Sequence, residues 1–197
     1  MGFLQDRKIL VTGLLSNRSI AYGIAKALAR EGAALAFTYQ SAELRGRVEE
    51  LAGAFGSAPV LPCDVARDDE IAALFDELRK RWGGLDGIVH SIAYAPREAL
   101  KGDFLDGLTR DAFRIAHDVS SYSFAALAKA GLPLMEGRKA AAFPTSSVVT
   151  LRRSGALSST NFSIFPKPLM PAAASVLIGP AEIPLTRMPF GPRSCAR

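Results

Sequence analysis

Ile9-Leu10-Val11-Thr12-Gly13-Leu14-Leu15-Ser16-Asn17-Arg18-Ser19-Ile20-Ala21-Tyr22-Gly23 is the stretch whose reading decides the fold. A short apolar strand runs into a glycine, then a polar loop, then the first turn of a helix. Gly13 permits a tight turn. Ser19 is placed to cap the helix and to offer a hydroxyl or an N–H to a diphosphate. Gly23 is expected to let helix and strand approach closely. The free amides and positive end of such a helix suit a phosphate. The run therefore implies the start of a dinucleotide-binding α/β domain. An ordinary strand-to-helix turn with a capping serine has the same outline.

The pattern repeats downstream. Strands are expected at Ile9–Thr12, Leu35–Tyr39, Val60–Leu61 and Leu85–Ser91. Helices are expected at Ser19–Arg30, with Gly32 as the stop, and at Glu43–Phe55, with Leu44, Val48, Leu51, Ala52 and Phe55 at helical spacing. Asp68–Trp82 carries Ile71, Leu74, Phe75, Leu78 and Trp82 on one face. Thr109–Ala130 reads as one long helix, capped by Thr109 and ended near Gly131-Leu132-Pro133. Alternating strands and helices with short connections imply an α/β fold, a Rossmann-like doubly wound parallel sheet. Such sheets bind ligands beyond the carboxyl ends of their strands. The candidates are therefore Gly13–Ile20, Gln40, Asp64-Val65 and Ser91–Ala95.

Asp64 follows the third strand, where a carboxylate can accept from an adenine amino group or cap the next helix. Gln40 ends the second strand, where adenosine would lie. No acid stands there to read a ribose 2′-hydroxyl and no arginine to hold a 2′-phosphate, so NADP is not excluded at this position. Arg45 and Arg47 lie on a helix face read as solvated. His90 and His117 read as structural. Asp118 and Ser120 lie in the long helix with no direction assigned. Cys63 reads as a small packed residue, and no Cys/His spacing suggests a metal.

Composition narrows the class. The 197 residues are 49% hydrophobic and 22% charged, with a net charge of +5. Residues 1–140 hold 18 basic and 18 acidic side chains, so the excess lies in residues 141–197. Without aromatic–basic interleaving, this gives no nucleic-acid surface. Cys63 and Cys195 cannot build a disulfide framework, which fits a reducing, cytoplasmic compartment. Residues 1–7 are too short and polar for a secretory signal, and no apolar run reaches the roughly 18–20 residues that cross a bilayer. Past residue 140 the text changes: 8 of the 12 prolines lie there, with no Asp, His or Tyr. Val148–Leu151 is the one strand candidate. Two regions are expected, a dinucleotide-binding domain over 1–140 and a divergent proline-rich tail over 141–197, read as a frameshifted or truncated end.

Residues 1–140 resemble the NADH-dependent enoyl-acyl-carrier-protein reductases, divergent members of the short-chain dehydrogenase/reductase family. The matching text is Met1-Gly2-Phe3-Leu4, Ile9–Gly13, Ser19–Ala25, Leu35–Tyr39, Cys63-Asp64-Val65, Val89-His90-Ser91-Ile92-Ala93 and Ile115–Phe124. The resemblance implies that Gly13, Ser19 and Ile20 hold the diphosphate. It puts Gln40 by the adenosine, Asp64 and Val65 by the adenine, Ser91 and Ile92 by the ribose and nicotinamide, and Ala95 against the acyl substrate. It implies NADH as cofactor, an enoyl thioester on acyl carrier protein as substrate, and a homotetramer.

The resemblance also implies a catalytic tyrosine with a lysine seven residues later, and another tyrosine ten residues before the first. Those positions hold Ala156, Ser163 and Ser146. Tyr122 is the last tyrosine and Lys167 has no tyrosine partner. The family's substrate loop and last strands are also missing, so the sheet is expected to be incomplete at its C-terminal end. Loss of such an acid–base group removes about 10²–10⁴-fold in rate. Two readings follow: an enoyl reductase by descent without its catalytic pair, or a non-catalytic NAD(H)-binding protein. A ketoacyl reductase would need the same missing pair.

Overall fold

The computed structural model describes residues 2–103 and 105–145. Five strands, β1 (Lys8–Val11), β2 (Ala34–Tyr39), β3 (Val60–Pro62), β4 (Gly87–His90) and β5 (Ala141–Pro144), form one sheet in the order β3-β2-β1-β4-β5. Every pairing is parallel. The helices are α1 (Ile20–Arg30), α2 (Ala42–Ala52), α3 (Asp68–Trp82), α4 (Arg110–His117) and α5 (Ser123–Met135).

Side-chain alternation along the strands explains the double winding. Ile9, Val11, Leu35, Phe37 and Val89 point to one face and pack with Ala21, Ala25, Val48 and Ala52 of α1 and α2. Leu10, Ala36, Ile88 and Ala142 point to the other. There they meet Ile71, Leu74, Phe75 and Leu78 of α3, and Phe124, Leu127, Leu134 and Met135 of α5. Both faces of the parallel sheet are thereby covered. No helix among the described residues is long and apolar enough to cross a membrane.

Several expectations hold in detail. α3 spans Asp68–Trp82, and Gly32 follows α1 at φ 89°, the left-handed conformation that stops a helix. Others change. The helix expected over Thr109–Ala130 is interrupted by a π turn at Asp118–Tyr122 and runs on to Met135, past Gly131 and Pro133. Gly131 is a packing residue: a Cβ there would lie 2.8 Å from both Ile88 Cδ1 and Phe75 Cε1. Pro133 sits in the last turn. The Leu85 N–H donates to the Leu134 carbonyl at 2.8 Å, so the end of α5 is tied to the approach to β4. β5 lies just past residue 140, ahead of the one strand candidate of that region. Val148–Leu151 is outside the described residues.

The amino edge of the sheet is closed by one carboxylate. Asp86, 7% exposed, receives Arg138 Nε at 3.0 Å and Nη2 at 2.8 Å, Arg7 Nη1 at 3.0 Å and the Lys8 N–H at 3.0 Å. Burial alone would raise its pKa. The bonds from Arg138, Lys8 and Arg7 outweigh burial and hold the carboxyl below its usual range. Asp86 thus ties the start of β1 to the turn that enters β5.

We expect Arg138→Met to cost about 2–3 kcal/mol, because it strips two charge-assisted bonds from a buried carboxylate. Arg7→Met, which removes one bond, should cost about half as much. Urea midpoints at constant slope measure both. Equal effects would contradict the bidentate geometry.

Candidate functional site

The chain order of the sheet changes direction between β1 and β4. β2 and β3 are laid on one side of β1, and β4 and β5 on the other. Loops leaving β1 and β4 therefore diverge and open a crevice at their carboxyl ends. Gly13–Ile20 follows β1, Ser91–Ala95 follows β4, Gln40 follows β2 and Asp64-Val65 follows β3. All the site residues expected from sequence lie along this one edge.

Hydrogen bonds lock the floor of the crevice. The buried Thr12 hydroxyl donates to the Val89 carbonyl at 3.2 Å and accepts from the Ser91 N–H at 3.3 Å. The Thr145 N–H donates to the His90 carbonyl at 2.8 Å, and its hydroxyl to Ser91 Oγ at 2.9 Å. β1, β4 and β5 are thus cross-linked just below the loops. Gly13 has φ 80°, and a Cβ on it would lie 1.9 Å from the Ser91 carbonyl oxygen. It is the glycine that close approach requires. Gly23 is not: a Cβ there meets nothing within 4 Å. The expected contact between α1 and the sheet is made instead by Ala21 and Ala25, both fully buried.

Ser19 caps α1. Its oxygen accepts from the Tyr22 N–H at 3.2 Å, while its hydroxyl proton goes to the Ser16 carbonyl at 2.7 Å. Its own N–H donates to Ser16 as well, at 3.1 Å. The Tyr22 and Gly23 amides are taken by Ser19 and Ala21 is fully buried, which leaves the amide of Ile20, a residue 64% exposed, as the donor at the start of α1. Ser19 shapes the turn, and Ile20 after it presents the N–H.

Asp64 does not cap α3, whose N-cap is Arg67. Its carboxylate accepts the Ala66 N–H at 3.1 Å and the Gln40 side-chain amide at 3.4 Å. Glu70 reaches back to the Asp64 N–H at 2.7 Å. Val65 beside it is buried. Gln40 and Asp64 thus meet across the ends of β2 and β3. Arg45 is committed to Glu49 at 2.8 Å. Burial beside Glu70 and Asp64 pushes the Cys63 thiol up to about 12, so it stays a packed thiol.

The β4 side carries a polar chain that the sequence reading did not foresee. In the π turn the Ser123 N–H bonds to the Asp118 carbonyl. The Val119 carbonyl is left for the Ser123 hydroxyl, which donates to it at 2.6 Å. With its proton committed, Ser123 Oγ accepts from His90 Nε2 at 2.8 Å. His90 is fully buried, and its Nδ1 has no hydrogen-bond partner. Burial lowers its pKa from 6.5 to about 4. His90 is structural, as read. His117 stacks on Phe113 with ring centroids 4.6 Å apart, on the exposed side of α4. Ser120 lies on the inner side of the π turn and bonds the backbone of Tyr94.

Two tests follow. Gly13→Ala should cost about 3 kcal/mol through positive φ and collision with Ser91, whereas Gly23→Ala, in open helix, should gain about 0.5–1 kcal/mol. Denaturant midpoints measure both. A neutral, buried His90 contributes stability in full above pH 6.5, lost as the pH falls toward 4. His90→Gln should flatten that dependence, whose slope is at most about 1.4 kcal/mol per pH unit.

Comparison with known proteins agrees with this geometry. Residues 13–162 match the family model described as enoyl-(acyl carrier protein) reductase. The NADH enoyl-[acyl-carrier-protein] reductase of Neisseria meningitidis is 55% identical over 157 residues, covering 80% of this chain and 58% of the relative. That of Escherichia coli is 53% identical over 156 residues, covering 79% and 57%. The crystal structure of the Aquifex aeolicus NADH enzyme superposes with a TM-score of 0.69 at 52% identity, over 72% of this chain and 56% of that one. An Anaplasma phagocytophilum reductase in complex with NAD gives 0.67 at 33% identity, over 73% and 54%. The chain thus spans somewhat over half the length of the relatives it matches. With the switch-point crevice and these matches together, the chain belongs to the enoyl-acyl-carrier-protein reductase family.

Proposed function

We propose that this chain is the dinucleotide-binding part of an enoyl-acyl-carrier-protein reductase, and that it binds NADH across the carboxyl edge of its sheet. The observation that carries this reading is that Gly13–Ile20, Gln40, Asp64-Val65 and Ser91–Ala95 all lie along the carboxyl edge that holds the switch point. The donor set fits the ligand. The Ile20 amide and the positive end of α1 suit a diphosphate, with Gly13 and Ser19 shaping the turn beneath it. The Asp64 carboxylate suits the adenine amino group, with Val65 and Gln40 alongside the adenosine. Ser91 and Ile92 border the ribose and nicotinamide end, and Ala95 the acyl substrate.

The choice of NADH over NADPH follows from charge. The Asp64 carboxylate is bonded to Gln40, and Arg45 is held by Glu49. A 2′-phosphate there would meet the Asp64 carboxylate, with Arg45 already engaged by Glu49.

When bound, NADH supplies the hydride for the β-carbon of a trans-2-enoyl thioester carried by acyl carrier protein. The thioester oxygen then needs a hydrogen-bond donor and the α-carbon a proton. The family positions for that tyrosine and its lysine hold Ala156 and Ser163, which lie outside the described residues. Tyr122, the last tyrosine, is 55% exposed. The chain as written therefore holds the dinucleotide but lacks the group that assists proton delivery.

Calorimetry on the full chain should show NADH binding, weaker NADPH binding, and about 5–10-fold weaker NADH binding by Asp64→Ala. No binding of NADH overturns the reading. Crotonyl-thioester reduction should run about 10²–10⁴-fold below that of a reductase with the tyrosine. Turnover at that enzyme's own rate would refute the loss of proton delivery.

A further inference from the structure

The π turn at Asp118–Tyr122 falls inside what the sequence reads as one uninterrupted helix. π turns are rare and mark functional positions more often than ordinary helix does. This one delivers a single hydroxyl to the loop after β4. The Tyr94 N–H donates to Ser120 Oγ at 2.9 Å, and the Ser120 hydroxyl donates back to the Tyr94 carbonyl at 3.1 Å. One side chain thus satisfies both polar groups of one peptide residue. The Tyr94 ring is 53% exposed, so the loop is held here by its backbone and not by a buried side chain.

The other end of the loop is held as well. Ser91 is fixed by Thr12 and Thr145, and the π turn itself is braced against β4 through Ser123 and His90. Between these anchors lie Ile92 and Ala93, with Ala95 just beyond Tyr94.

We infer that Ser120 is a positioning residue: its two-way bond to Tyr94 holds the Ser91–Ala95 loop in the shape that the nicotinamide end of the dinucleotide requires. The inference rests on the NADH reading above. It makes a demand that reading does not. The clamp acts on the nicotinamide half of the crevice, whereas the diphosphate and adenine are met by α1, Gln40 and Asp64. Removing the Ser120 hydroxyl should therefore affect NADH and leave ADP-ribose, which lacks the nicotinamide, almost untouched.

The test uses the full chain with Ser120→Ala, Ser120→Thr as the hydroxyl-retaining variant, and Ser121→Ala as a control in the same turn. In ligand-free protein, hydrogen exchange at the Tyr94 amide should speed up roughly tenfold in S120A. It should return toward the parent rate in S120T and stay unchanged in S121A. By calorimetry S120A should bind NADH at least about threefold more weakly and ADP-ribose within error of the parent. Unchanged exchange in S120A, equal acceleration in S121A, or equal weakening of both ligands overturns the inference. If the parent binds neither ligand, the NADH reading fails and the nicotinamide role with it; the exchange rates still decide whether the clamp exists.

Discussion

The space above Gly13 holds the carbonyl oxygen of Ser91 where any other residue would have its Cβ. That contact sets how near the loops after β1 and β4 can come. Thr12 and Thr145 make the approach durable, because each contributes bonds to the end of β4 or to Ser91. These bonds give the crevice above a cross-linked floor. Its walls are loops, and their freedom is limited by where those bonds anchor them.

The two edges of the sheet have opposite characters. At the amino edge Asp86 gathers two arginines and a backbone amide into a closed cluster. Its donors come from the start of β1 and from the turn before β5, so distant parts of the chain are joined there. At the carboxyl edge the polar groups lie toward solvent: the Ile20 amide, the Asp64 carboxylate and the Gln40 amide. Closing one edge with a buried carboxylate held by two half-exposed arginines leaves the other edge open without leaving the sheet untied.

The β4 side has a further layer of order. A displaced hydrogen bond in the π turn frees one carbonyl, the Ser123 hydroxyl takes it, and His90 donates to Ser123. The histidine is consequently held as a neutral donor with its other nitrogen bare. A stretch of apparently ordinary helix thereby becomes a support for the loop that follows β4.

Much of this was legible in the sequence. The 3.6-residue spacing of Ile71, Leu74, Phe75 and Leu78 is a local property, and α3 appears where that spacing puts it. The strand–glycine–helix run at residues 9–23 set the class of fold and the edge that carries the crevice, because alternation of elements and turn chemistry are written residue by residue. The family matches agree with that reading. What neighbouring elements impose was not legible: the role of Gly131 against Ile88 and Phe75, the open space beside Gly23, the diversion of the Ser19 hydroxyl to Ser16, and the pairing of Ala141–Pro144 with β4. By itself the sequence determined periodicity, caps and the order of strands and helices, since each depends on residues a few positions apart. Only the tertiary structure decided which glycine is indispensable and which serine holds the loop, since those answers depend on atoms brought within a few ångströms across about 26–78 positions of chain.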